Sequence, residues 1–185
     1  MALAKRDSRI NLVVGDLGYS VVETFAEQFP DRFLNAGVAE QNMTGLAAGM
    51  ALASDRTVFT YSIANFSTVR CLEQIRNDVC YHNANVKIVI VGGGVAYGAH
   101  GYTHFAVEDV ALMRALPNIT VAVPADPVEA EAIAHLSCSQ AGPWYIRLGK
   151  NGEPVLHQHD LKSLEVGSSI QLRDGSDGTL LVNGP

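Results

Sequence analysis

Five short runs rich in β-branched residues recur along the chain with amphipathic stretches between them, and this alternation constrains the fold more than any other feature. The runs are INLVV at 10–14, TVFTY at 57–61, VKIVIV at 86–91, ITVAV at 119–123 and WYIRL at 144–148, with FLNAG at 33–37 as a shorter candidate. Such runs alternating with helical periodicity predict an α/β domain, a mainly parallel sheet with helices on both faces. The helical candidates are Val21 to Phe29, stopped by Pro30; Ala39 to Ala53; Phe66 to His82; Val107 to Leu116, stopped by Pro117; and Pro127 to Gln140.

In sheets of this kind ligands bind beyond the carboxyl ends of the strands, where the chain turns into the next helix. The polar residues at those positions are Asp16 and Ser20, Asn35 with Glu40, Ser62 to Asn65, the glycine-rich stretch Gly92 to Gly101 with His104, Asp126, and Arg147. After Arg147 the texture changes. LGKNGEPVLHQHDLKSLEVGSS has little periodicity and reads as a linker, while SIQLRDG and GTLLVNGP predict a hairpin. Residues 1–148 are therefore expected to form one domain, and 149–185 a linker with the start of a truncated second one. ALAKRD resembles the last turn of a helix, so the chain is expected to be part of a larger polypeptide or a trimmed one.

A chain of 185 residues with 48% hydrophobic content buries one substantial core, which excludes a disordered or disulfide-stapled protein. The net charge of -6, mixed in sign along the chain, provides no basic stripe and argues against nucleic acid. No apolar run approaches the roughly 18 residues of a membrane span, and MALAKRDSRI lacks the apolar core of a secretory signal, so a cytoplasmic enzyme is expected with no membrane partner. Cys71, Cys80 and Cys138 are odd in number and lack CxxC spacing, and they read as reduced small hydrophobes.

The densest chemical signal is NAGVAEQNMTGLAAGMALA at 35–53. Met43, Leu46, Ala47 and Met50 share one helical face, Gly45 and Gly49 permit close approach by another element, and Glu40 falls in the first turn. Spacing alone allows Glu40 to be an acid favoured by the positive end of the helix dipole.

The whole string resembles the transketolase family, in the segment of its pyrimidine-binding domain that carries a cofactor-activating glutamate. IANFSTVRCLEQIRNDVCYHNANVKIVIV at 63–91, AHGYTHFAVEDVALMRALPNITVAVPAD at 99–126 and VVGDLGYSVVETF at 13–25 agree with it. The likeness runs over residues 6 to 150, and EQNM together with EQIRND is most similar to the carboxy-terminal subunit of transketolases split into two chains.

The resemblance implies a component of a thiamine-diphosphate enzyme that transfers a two-carbon ketol unit from a ketose to an aldose. Glu40 then hydrogen-bonds N1' of the aminopyrimidine and favours the imino tautomer that removes the C2 proton. Burial against Met43 and Ala47 is expected to favour its neutral form. Phe66 matches an aromatic that stacks on the pyrimidine, and Ile63 replaces a second aromatic of typical transketolases. Asp16 matches an acid near the thiazolium, and Ser20 a serine that holds the donor, although turn or cap chemistry explains both equally well. His104 matches a substrate-contacting histidine able to bond a sugar hydroxyl or shuttle a proton. His100 replaces an aspartate that reads a substrate hydroxyl, and it also reads as a solvated loop residue. Arg147 matches a phosphate-gripping arginine and equally suits a surface ion pair. Gly92 falls where typical transketolases place another phosphate-contacting histidine, which puts a phosphorylated donor in doubt.

Two rival motifs are weak. His100 and His104 form an HxxxH pair without a third ligand, and Tyr97 stands where GxGxxG would require its last glycine. The GDG motif through which the family holds Mg2+ and the diphosphate does not occur, so those ligands are expected on a diphosphate-binding subunit or domain. The family's active site lies between subunits, which implies a homodimer or heterotetramer acting on sugars or sugar phosphates. The alternatives are the β subunit of a 2-oxo-acid dehydrogenase, a deoxyxylulose-phosphate synthase fragment, or a noncatalytic remnant.

Overall fold

Six strands pair in parallel to form one sheet in the computed structural model, which describes residues 1–159, 161 and 164–184. They are β1 (Ile10–Val14), β2 (Phe33–Asn35), β3 (Thr57–Ile63), β4 (Val86–Val91), β5 (Thr120–Ala122) and β6 (Trp144–Leu148), in the order β2-β1-β3-β4-β6-β5. The helices are α1 (Ala2–Arg6), α2 (Glu23–Gln28), α3 (Glu40–Ala53), α4 (Leu72–Gln74), α5 (Asp109–Arg114) and α6 (Pro127–Ser139). Each of the six predicted runs up to Leu148 is present as a strand, β3 running two residues longer than expected and β2 and β5 shorter.

Alternation along the strands divides the core between two faces, as a period of two requires. Val13, Val58, Ile88, Ile90 and Tyr145 pack with Met43 and Ala47 of α3, Ile75 and Val79 after α4, and Met113 of α5. On the other face Ile10, Leu12 and Phe59 meet α1, Phe25 of α2 and Cys138 of α6, while Val89, Trp144 and Ile146 meet Ile133 and Leu136 of α6. Helices therefore cover both faces, as the residue pattern predicts.

Two expectations need correction. The continuous helix expected over Phe66 to His82 is broken: turns occupy 66–71, α4 is a single short turn, and Ile75–Cys80 is wound as a π-helix. Side chains compete with the helical ladder there, the Thr68 hydroxyl donating to the Ala64 carbonyl at 2.7 Å and the Cys71 thiol to the Phe66 carbonyl at 3.2 Å. The hairpin expected from SIQLRDG and GTLLVNGP is not formed either, and the described residues beyond Leu148 contain no strand. Leu180, Leu181 and Val182 stand exposed there, and an isolated two-stranded ribbon is marginal without a sheet or helix to cover it.

The order of strands reverses twice. The chain moves outward from β1 to β2 and then returns across β1 to β3, and β6 inserts between β4 and β5. Crevices open at such reversals, beyond the carboxyl ends of the flanking strands.

Candidate active site

Glu40 stands at the first of these reversals. It is the first residue of α3, which carries the chain from β2 to β3, and it is only 3% exposed. Gly15, just past β1, makes room for it: a Cβ on Gly15 would lie 3.2 Å from Glu40 Cγ and 3.6 Å from both Met43 Sδ and Ser62 Oγ. Ser62, near the end of β3, is buried, and its hydroxyl has no hydrogen-bond partner among the described residues. Glu40, Gly15 and Ser62 thus converge from three different segments.

The apolar surroundings expected from Met43 and Ala47 make up only part of the environment of Glu40. Arg70 Nη1 donates to Glu40 Oε2 at 2.6 Å, and the same guanidinium lies 4.4 Å from the centroid of the Phe66 ring. Its side chain is 45% exposed, so the pair joins a buried acid to a cation at the surface. Motif matching passes over Arg70, although its position four residues after Phe66 is the spacing at which side chains on wound backbone meet.

Phe66 is half-buried, and its ring meets that of His104 edge-on at 5.0 Å. His104 is in turn 5.0 Å from His100 and 5.8 Å from Tyr97, ring centre to ring centre. The loop carrying these rings is tied to the end of β3 by Asn65, whose Nδ2 donates to the Thr103 carbonyl at 2.7 Å. His100 is exposed, with Nδ1 3.0 Å from the Tyr97 carbonyl oxygen. Gly92 has φ +82, and an added Cβ would come within 2.0 Å of the Tyr97 ring, so glycine at this position lets Tyr97 fold back onto β4. Phe66, His104 and His100 therefore form one wall of rings, which Arg70 joins to Glu40.

The other predicted site residues lie along the same edge, and of these Ile63 reaches Phe66 through its backbone carbonyl, which accepts from the Phe66 N–H at 3.0 Å. Asp16, at φ 55, exchanges hydrogen bonds with Asn35: its N–H donates to Asn35 Oδ1 at 3.0 Å and its Oδ1 accepts from Asn35 Nδ2 at 2.9 Å. Ser20, also left-handed at φ 63, donates its N–H to Glu23 Oε1 at 2.7 Å and is exposed. Ile63 is buried at 7% exposure and offers little surface.

Arg147 turns inward at the second reversal. Its Nε donates to Asp109 Oδ2 at 2.8 Å and its Nη2 to the Ala106 carbonyl at 3.1 Å, and the guanidinium lies against Gly93, where a Cβ would meet it at 2.6 Å. Asp109 has no counterpart among the residues singled out from the sequence. Burial pushes the Cys71 thiol, behind Phe66, up to about 11, which removes it as a nucleophile near neutral pH. Among the described residues no group of three His, Cys, Asp or Glu side chains is arranged to hold a metal ion.

A parallel sheet with a buried acid at its switch point and an aromatic face beside it defines an α/β ligand-binding domain. The family described as transketolase, pyrimidine binding domain, matches residues 1–153, and the chain belongs to it. A putative transketolase C-terminal section from Methanocaldococcus jannaschii is 39% identical over 178 residues, covering 94% of this chain and 56% of that protein. An apulose-4-phosphate transketolase subunit from Phocaeicola vulgatus is 36% identical over 185 residues, covering 100% of this chain and 59% of that protein. A solved split gene transketolase, described as an inactive beta4 tetramer, superposes with a TM-score of 0.83 at 39% identity, over 94% of this chain and 56% of that one. The chain spans a little over half the length of these relatives.

Proposed function

We propose that this chain supplies the pyrimidine-binding half of a thiamine-diphosphate-dependent transketolase that moves a two-carbon ketol unit between sugars. The observation that carries this reading is the buried Glu40 carboxylate, linked through the guanidinium of Arg70 to the half-buried ring of Phe66. An acid at the base, an aromatic face beside it and the unpartnered Ser62 hydroxyl suit a flat, nitrogen-bearing ring.

When bound, the cofactor supplies the electron sink for cleaving and remaking a carbon–carbon bond of the sugar. Glu40 would hold a proton at its carboxyl against a ring nitrogen, Phe66 would offer its half-buried ring for stacking, and Ile63 would contribute the little surface it exposes. Asp16 would help hold the thiazolium, and Ser20, His100 and His104 would bind sugar hydroxyls, His104 also moving a proton there. Arg147 contributes to anion binding only with what Asp109 and Ala106 leave free. Together with Gly92 in place of a histidine, this supports a donor recognised mainly through its hydroxyls rather than a phosphate.

The diphosphate and Mg2+ are held by a separate diphosphate-binding subunit or domain, in a homodimer or heterotetramer in the cytoplasm, and the chain alone is inactive. Reconstitution with a diphosphate-binding partner, thiamine diphosphate and Mg2+ is expected to give ketol transfer. Glu40→Gln keeps the fold and leaves less than about a tenth of that activity; retention of more removes Glu40 from its role.

A further inference from the structure

The Arg70 guanidinium has two partners among the described residues, and both are groups that the proposed function assigns to the cofactor. Its guanidinium lies over Phe66 and donates to Glu40, and it has no other hydrogen bond among the described residues. A guanidinium is a flat N–C–N unit with edge donors and a face that stacks on aromatics, and an aminopyrimidine has the same features. We propose that Arg70 is a displaceable stand-in for the cofactor's aminopyrimidine, occupying Glu40 and the Phe66 face until the ring arrives and moves it out to solvent.

This inference rests on the cofactor reading given above. A carboxylate 3% exposed and left without a partner would be strongly disfavoured, so a fold that keeps Glu40 buried before the ring binds needs a substitute cation. The substitute must also leave easily. Arg70 meets this requirement: its side chain is 45% exposed, it projects from the turn-wound 66–71 segment, and an exposed guanidinium is readily rehydrated. Ring binding then competes with an internal ligand, and apparent affinity falls by the fraction of molecules in which Arg70 is engaged.

The probe is 4-amino-5-hydroxymethyl-2-methylpyrimidine, the free pyrimidine half of the cofactor, which needs no diphosphate-binding partner. It is titrated into the 185-residue chain and followed by low-temperature NMR at the Phe66 ring and the Arg70 Nη–H protons, the ones that face Glu40. Displacement predicts that the probe perturbs Phe66, that the Arg70 Nη–H protons exchange faster with solvent as the site fills, and that Arg70→Ala binds the probe on the order of fivefold tighter. Binding at Phe66 that leaves the Arg70 signal unmoved, or that Arg70→Ala weakens, overturns the stand-in and leaves the cofactor reading intact. Absence of the probe from Phe66 in both proteins, each shown folded by its amide spectrum, overturns both. The wild-type Arg70 signal decides the matter even if the variant folds poorly.

Discussion

Arg147 and Asp109, 38 residues apart, form an ion pair with Nε and Oδ2 2.8 Å apart, and the carboxylate is only 1% exposed. The Tyr145 hydroxyl donates to the same oxygen at 2.7 Å, and burial, reinforced by Asp109, raises that phenol well above its ordinary range. Removing one partner strands the others in a dry site. Asp109→Ala is expected to lower stability by about 3 kcal/mol, and the double variant with Arg147→Ala by less than the sum of the two single losses, as read from urea unfolding. Additive losses would show the pair to be energetically independent.

Asp126 joins the domain to the segment that follows it. Its Oδ1 accepts from the Glu129 N–H at 2.8 Å, capping α6, while Oδ2 accepts from the N–H groups of Leu156 at 2.8 Å and His157 at 3.0 Å. Burial would raise this carboxyl, but these donors outweigh burial and hold it well below its ordinary 3.8. An acid depressed by folding contributes stability that is complete above its unfolded value and is lost as pH falls through the folded one. The 156–157 tether should therefore persist to below about pH 3.8, since the carboxyl stays charged there. Asp126→Ala is expected to cost about 2 kcal/mol and to speed hydrogen exchange at the Leu156 and His157 amides. Unchanged exchange at those amides would rule out the tether.

Legibility of the fold followed the source of each element's stability. Ile10–Val14, Val86–Val91 and Trp144–Leu148 match their apolar runs residue for residue, because each strand is covered on both faces and its boundaries are those of the run. The segment after Ile63 was less legible, since local bonds from Thr68 and Cys71 override a helical pattern of similar strength. Strand propensity in SIQLRDG and GTLLVNGP lacked a partner surface, and propensity without packing decides little. Glu40, Phe66, His104 and His100 are legible as motif positions following strands, whereas Arg70, which links the first two, is not. The Asp109–Arg147 pair was not, because it depends on β6 inserting beside β4, an order that no local pattern encodes.

Gly15 separates the placement of Glu40 from the stability of the fold. Its φ lies outside the left-handed region, so alanine is permitted by the backbone, yet the new Cβ would meet Glu40 Cγ at 3.2 Å. Relief requires the acid to shift by a few tenths of an ångström. Gly15→Ala is expected to stay within about 1 kcal/mol of the parent in stability, while the reconstituted enzyme loses about tenfold in kcat. A variant that melts early and turns over normally would show that Gly15 serves packing and not the acid.

Lys87 lies at the opposite end of the sheet from the site and gives the fold a distinctive response to alkali. It is fully buried in β4, and its ammonium donates to the carbonyls of Gln140 at 2.8 Å and Gly142 at 2.7 Å, closing the end of α6. Burial pushes it down from 10.5 to about 8, the nearby Cys138 opposing this only in part. Between those values the unfolded chain binds more protons than the folded one, so this group makes stability rise with pH across that window. The Cys71 and Cys80 thiols, raised by burial from 9.0 to about 11, act in the opposite sense above their ordinary value. Both proteins in a comparison with Lys87→Met keep these thiols, so their effect cancels. The stability of the wild type relative to Lys87→Met is expected to grow by on the order of 2 kcal/mol from about pH 8 to about pH 10 in urea unfolding. The unpaired Gln140 and Gly142 carbonyls lower the variant by a constant amount and add no slope. A difference independent of pH would mean that the ammonium keeps its ordinary affinity for protons inside the sheet, with the two carbonyls fully offsetting its burial.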